Sequence, residues 1–325
     1  MTMPQSHSTA LQLDDRVRFG FITGSTSPAG ARRNVELAES AGYDSLWTGD
    51  HIAFPLPIHD PFVQLAQYAV LSDRLLFGTS VYLLPLRHPT TVAKQVASMD
   101  HLSDGRFIFG VGQGGEFPKE YEACSVPLEE RGSRMSEALR ILPRLWTGEE
   151  VSHSGKHFSF DSVCMRPATT RPGGPPIWCG ARSEPALRRT GRLAGGYVSY
   201  AVTPSMFADA LRVIEQAAES AGRLTAGLPF GTGHLLFAWI EDDPEVALDK
   251  ATDHLSRRYA MDFRKAARKY AALGRPEDVA ERVQAYLDQG VRHIIVDATG
   301  PAAERESQLE RFGKEVIPLL RSAAA

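Results

Sequence analysis

The chain has 325 residues, 43% of them hydrophobic and 23% charged, with a formal net charge of −3. That is ordinary globular composition, enough for two average domains or one α/β barrel with insertions, and the charge balance argues against nucleic acid or an anionic membrane as partner. Three scattered cysteines (Cys124, Cys164, Cys179) in no C-x-x-C spacing, no signal-peptide pattern and no apolar run of about 18 residues point to a reducing cytoplasm.

Residues 1–15 read as a disordered lead-in. The first strand is VRFGFI (17–22), followed by a helical segment over 31–41 with apolar Ala31, Val35, Leu37, Ala38 and Ala41. DSLWTG (44–49) is the second strand, and Asp50 and His51 lie at its end. LLFGTSVYLL (75–84) is the third, and Pro89 opens a helix over 90–102, which makes Arg87 and His88 its lead-in. RFIFGVG (106–112) is the fourth, and a helix over 131–146 should be kinked or ended by Pro143. An insertion at about 147–174 reads as a hairpin turning at Ser154 and Gly155. PPIWCGA (175–181) and GGYVSY (195–200) follow, with helices over 184–194 and 204–221. After HLLFAWI (234–240), a second insertion at about 243–275 holds more helix than one crossover needs. A helix over 276–290 has proline at its start and glycine past its end, RHIIVDAT (292–299) is the eighth strand, and a last helix covers about 302–323. Eight near-continuous apolar strands alternating with helices predict a parallel (β/α)8 TIM barrel, one domain over 16–325 with two insertions; a doubly wound sheet is the alternative.

The stretch FIFGVGQGGEF (107–117) contains G-x-G-x-x-G at Gly110, Gly112 and Gly115. A dinucleotide turn would follow a first strand, open a helix and have an acid at the end of the second strand about 20 residues on. Here the motif follows the fourth strand, no clear helix starts before about Leu128, and Glu129 and Glu130 sit at a helix start. The dinucleotide reading fails that context. Glycines at the carboxyl end of a barrel strand instead let a planar ligand approach the backbone on the active-site face, with a permissive turn as the plain alternative.

His51 at a strand end is placed for acid–base work, or else simply bonds backbone. Gly180, Ala181, Arg182 and Ser183 follow the fifth strand and open a helix, where backbone N–H groups, the Ser183 hydroxyl and the Arg182 charge suit an anion; a plain capped helix fits the same residues. His153 and His157 have no carboxylate or thiolate near them in sequence, so no metal is implied, and Cys179 has no activating base nearby. Trp47 and Trp178, inside strands, read as core.

Four stretches occur in order: AGYDSLWTGDH, GTSVYLLPLRHPTTVAKQVASMDHLSDGRFIFGVGQGGE, ERGSRMSEALRILPRLWTGE and GPPIWCGARSEPALRRTGRLAGGYV. Together they resemble the luciferase-like flavin oxidoreductases, the bacterial-luciferase superfamily, strongly over about 17–200 and more weakly over 275–320. The resemblance implies a (β/α)8 barrel with insertions and either reduced FMN with monooxygenation or the deazaflavin coenzyme F420 with hydride transfer. It implies that Asp50 and His51 lie beside the cofactor, with His51 handling a proton. It implies a non-prolyl cis peptide at Ser80 and Val81, next to Thr79, supporting the ring. Gly112, Gln113 and Gly114 would line the ring's polar edge, and Glu116 resembles a catalytic acid, although GQGGE has one residue more before the acid than those members have. Gly180, Ala181, Arg182 and Ser183 match the family's phosphate site. GDH and TSV favour F420 and hydride exchange with a small organic substrate. The alternatives are an FMN monooxygenase using O2 and a separate flavin reductase, and a protein that binds flavin without turnover. A homodimer is expected, with the 147–174 insertion and Phe54, Phe117 and Phe158 shaping the substrate pocket.

Overall fold

A computed structural model describes residues 9–24, 27–54, 57–224 and 229–322. Eight parallel strands form the core: β1 (Arg18–Ile22), β2 (Ser45–Thr48), β3 (Leu76–Thr79) and β4 (Phe107–Gly112), then β5 (Ile177–Gly180), β6 (Gly196–Tyr200), β7 (Gly231–Ile240) and β8 (His293–Ala298). Each pairs with its neighbour in chain order, and β8 pairs with β1, so the sheet closes into the expected (β/α)8 barrel and not a doubly wound sheet. Proline stands in the first turn of most helices, and Ser27, Asp60, Thr203 and Asp243 cap theirs by accepting backbone N–H groups. The helix Arg131–Leu145 stops two residues past Pro143.

Several elements differ from expectation. The crossover between β2 and β3 contains a helix, Pro61–Ala69, and a six-residue helix, Pro118–Ala123, follows β4. The last helix is interrupted: Arg305–Arg311 passes through a π turn at Phe312–Val316 before Ile317–Ser322, and residue 323 lies outside the described residues. The lead-in also needs correction from residue 9 onward. Leu11 is buried, Leu13 bridges to Phe230, and Phe230 N–H donates to the Gln12 carbonyl at 2.6 Å, so apolar burial and backbone pairing hold this stretch to the barrel. Residues 1–8 lie outside the described residues.

The 147–174 segment contains an antiparallel hairpin, Glu150–Ser154 with Ser159–Cys164, closed by Gly155 N–H to the Phe158 carbonyl. It is tied to the helix Arg131–Leu145: Glu137 accepts from the backbone N–H groups of His157 and Phe158. Residues 244–274 supply the helices Pro244–Tyr259 and Arg264–Tyr270 and a short strand, Ala272–Gly274, that pairs with the far end of β7.

Trp47, Ile108, Trp178, Val198 and Ile295 come from five different strands and form one cluster, which fills the inside of the barrel. The two indoles lie 5.7 Å apart, and the His293 ring stands edge-on to both. Space for Trp178 comes from facing glycines: a Cβ on Gly196 or Gly231 would stand 2.2 Å from its ring. The polar atoms in this layer are paired, with Trp47 Nε1–H donating to Ser45 Oγ at 2.8 Å and Ser45 Oγ lying 2.7 Å from His293 Nε2.

Gly231→Ala overpacks this layer and should cost about 1–3 kcal/mol, while Trp178→Ala should cost about 3–5 kcal/mol, both read from chemical denaturation. A second test follows from His234 and His293, whose pKa values are pushed from 6.5 down to about 3, by burial first and then by Arg282 and Arg18 respectively. Both rings are neutral in the fold and take up a proton when the chain opens. Their contribution is complete above the unfolded value and is lost as pH falls from 6.5 towards 3. The urea midpoint should therefore drop between about pH 7.5 and about pH 5, and less steeply in His234→Phe.

Candidate active site

At the barrel's C-terminal face, β2 runs into Gly49, Asp50 and His51. The Asp50 carboxylate is almost completely buried and accepts from Leu83 N–H at 2.8 Å and from Arg87 Nη2 at 2.9 Å, with Nη1 also in contact. The Arg87 guanidinium lies 4.3 Å from the Tyr82 ring centre. Arg87, expected only to lead into a helix, is the counter-ion of Asp50. Asp50 is thereby committed to fixing the end of β2 against the segment after β3, and does not present a free carboxylate to a cofactor.

His51 is a quarter exposed, and its Nδ1 lies 3.2 and 3.1 Å from the two carboxylate oxygens of Glu120. Phe54 stacks on the imidazole at 4.0 Å between centres, and Phe117 meets it edge-on at 5.6 Å. Glu120 is buried and also accepts from the backbone N–H groups of Ile52 and Ala53. Glu116 is about half exposed and pairs with Arg182, whose guanidinium lies 5.2 Å from the Tyr200 ring centre. The acid facing His51 is thus Glu120. Sequence reasoning passed over it because the six-residue helix that carries it is too short to show a period; Pro118 in a first turn was the available signal.

The Ser80–Val81 peptide is cis, and Ser80 N–H donates to the Thr48 carbonyl at 2.8 Å. Thr79 Oγ1 donates to the Gly110 carbonyl at 2.6 Å. The glycines of the G-x-G-x-x-G stretch serve this neighbouring segment: a Cβ at Gly110 would stand 1.8 Å from the Thr79 carbonyl oxygen, and one at Gly112 would stand 2.4 Å from Val81 Cγ2. Gly180 lies on the same valine, 3.1 Å by the same measure. Gly114 and Gly115 have φ of 58° and 104°, which glycine accepts without cost. Gln113 is held by Arg189 Nη2 at 2.8 Å and by the Tyr121 hydroxyl on its carbonyl.

After β5, Ala181 accepts from the Tyr197 hydroxyl, Arg182 is exposed, and Ser183 occupies the N-cap of the helix Glu184–Leu193. The Ser183 hydroxyl makes no capping bond, so its expected part as a capping side chain is not met. At the end of β8 the buried Asp297 carboxylate holds Arg258 and Arg305, a pairing that sequence reasoning did not single out.

Phe158 departs from expectation: it is 3% exposed, packed beneath Arg134 and beside His88. His153 and His157 do meet carboxylates, Glu137 at 3.0 Å and Glu130 at 3.3 Å, because the fold lays the hairpin on a helix distant in sequence. Among the described residues no group of three or more His, Cys, Asp or Glu is arranged to hold a metal. Burial pushes the Cys179 thiol up to about 12, which makes it unreactive.

A family model described as luciferase-like monooxygenase matches residues 15–293. The chain belongs to the luciferase-like monooxygenase family. It is 27% identical to an F420-dependent glucose-6-phosphate dehydrogenase of Nakamurella multipartita, over 94% of this chain and 97% of that one. An F420-dependent glucose-6-phosphate dehydrogenase of Microbacterium testaceum is 28% identical, over 89% and 92% respectively. Among solved structures, the coenzyme F420-dependent tetrahydromethanopterin reductase of Methanopyrus kandleri superposes with a TM-score of 0.77 at 21% identity, covering 94% of this chain and 99% of that one. The monooxygenase RslO1 of Streptomyces bottropensis gives 0.79 at 22% identity, covering 93% and 99%. These two structures show the shared fold. The luciferase-like family consists of enzymes, oxidoreductases and monooxygenases, whose members use F420 or FMN. No helix among the described residues of this luciferase-like chain is long and apolar enough to cross a membrane.

Removing one partner of the Asp50–Arg87 pair leaves a largely buried charge uncompensated. Asp50→Ala should cost about 3–5 kcal/mol of stability by chemical denaturation.

Proposed function

We propose that this luciferase-like enzyme exchanges a hydride between coenzyme F420 and a small organic substrate, with His51 as the acid–base group. The observation that carries the reading is the set imidazole at the end of β2, gripped by a buried carboxylate and two aromatic rings. Similarity along nearly the whole chain to F420-dependent enzymes favours the deazaflavin. The residues fit a flat tricyclic cofactor: positions 112 and 180, both against the Val81 side chain beside the cis Ser80–Val81 peptide, are glycines, so neither β4 nor β5 projects a side chain there. They also fit its phosphate, because the Ser183 hydroxyl is not spent on capping and the Glu184–Leu193 helix begins there.

In this reading Thr79, Ser80, Val81, Gly112, Gln113 and Gly114 cradle the ring, and Gly180, Ala181, Arg182 and Ser183 hold the phosphate. When bound, F420 supplies a ring carbon that takes or gives a hydride. His51 accepts the hydroxyl proton as an alcohol becomes a carbonyl, and returns it in the reverse direction. Phe54 covers one face of the imidazole and Phe117 meets it edge-on, which confines its orientation. Glu116, tied to Arg182, belongs to the rim of the site and is not assigned proton transfer. Asp50 acts through Arg87 and Leu83 to hold the β2 end in place. A homodimer in the cytoplasm is the expected working form.

The second reading, an FMN monooxygenase supplied by a separate reductase, is favoured by the description of the matching family. Fluorescence titration with F420, FMN and FAD separates the two: tight binding of F420 is expected, and tight binding of FMN alone would replace this reading with the second. With F420, His51→Ala should lower kcat by about 10²–10⁴-fold while the cofactor Kd stays within about threefold.

A further inference from the structure

We propose that Glu120 is a positioning residue that fixes the tautomer of His51, keeping the hydrogen on Nδ1 and leaving Nε2 as the proton-accepting nitrogen. This rests on the reading of His51 as the acid–base group. The Glu120 side chain leaves a helix far from His51 in sequence, and the residue is 2% exposed. Its Oε1 accepts Ile52 N–H at 2.6 Å and Ala53 N–H at 3.2 Å. Both oxygens face Nδ1, at 3.2 and 3.1 Å. A carboxylate offers lone pairs only, so the nitrogen facing it carries the hydrogen. A neutral imidazole with its hydrogen on Nδ1 has its lone pair on Nε2. The stacked Phe54 ring at 4.0 Å and the edge-on Phe117 ring hold the imidazole plane, which keeps the two nitrogens from changing places.

The same carboxylate also pins the backbone after His51, so a purely structural role must be separated from control of the tautomer. Glu120→Gln does this. The amide oxygen still accepts the two backbone N–H groups, but the amide nitrogen now offers hydrogens to Nδ1. The ring must then carry its own hydrogen on Nε2, the wrong nitrogen for accepting a proton.

The experiment has two readouts. The first is the 15N spectrum of histidine-labelled protein above the titration of His51, with its signals assigned by their loss in His51→Gln. The wild type should show hydrogen on Nδ1 and Glu120→Gln should show it on Nε2. The second is steady-state kinetics with F420: Glu120→Gln should lose about 100-fold or more in kcat, with cofactor Kd and melting temperature close to wild type. Hydrogen on Nε2 in the wild type overturns the proposal, as does the same tautomer in both proteins. Wild-type kcat in Glu120→Gln overturns it too, and so does a loss of kcat that only follows a loss of folding or cofactor binding. If the wild type shows no F420-dependent turnover while the tautomer switches, the functional reading falls and the positioning role stands.

Discussion

The barrel is organised around filling its own interior with two indoles. Trp47 and Trp178 occupy the layer below the site with His293 between their edges, and the strands facing them give up side chains to make room. Interiors of this density tolerate neither voids nor added methyl groups, so the positions of glycine along β6 and β7 follow from where Trp178 lies. The buried polar atoms of the layer pair among themselves through Ser45. The floor of the site is therefore rigid, and the strand ends above it are held in register.

The same packing logic explains the glycine stretch after β4. Gly110 and Gly112 allow β4 to approach the Thr79 carbonyl and the Val81 side chain, and Gly114 and Gly115 turn the chain through left-handed φ. The motif looks like a phosphate-binding turn only as a string of letters. In the barrel it is a close approach between neighbouring strands, followed by a turn that sends Phe117 and Glu120 to His51 and Glu116 to Arg182.

Charge at the mouth is arranged in pairs of unequal burial. Asp50 with Arg87, and Asp297 with Arg258 and Arg305, are largely withdrawn from water and lock strand ends to their surroundings. Glu116 with Arg182 is half exposed, where such a pair contributes little to stability and its partners are free to exchange. The buried pairs stand on β8 and at the end of β2, and the soft pair lies beside Ser183 after β5. That division suits the proposed reading, in which the end of β2 stays fixed while a ligand's phosphate end is admitted at the turn after β5.

The sequence by itself determined the strand–helix rhythm and the barrel, because apolar runs and proline or glycine boundaries are local signals that survive in one dimension. It also placed His51, Gly112 and the turn at Gly180–Ser183 at or just past the ends of strands, and the resemblance anticipated the cis bond after Ser80. It did not show the helix Pro118–Ala123, which is too short for a period, or the pairing of residues 9–13 with the β7 side of the barrel. Which acid serves which partner was decided only in three dimensions. Glu116 and Glu120 are four residues apart and chemically alike, yet burial and two backbone donors hold Glu120 against His51 while Glu116 reaches an arginine beyond β5. Arg87 became the partner of Asp50 for the same reason: contacts between side chains distant in the chain arise only when the closed sheet brings strand ends to one face.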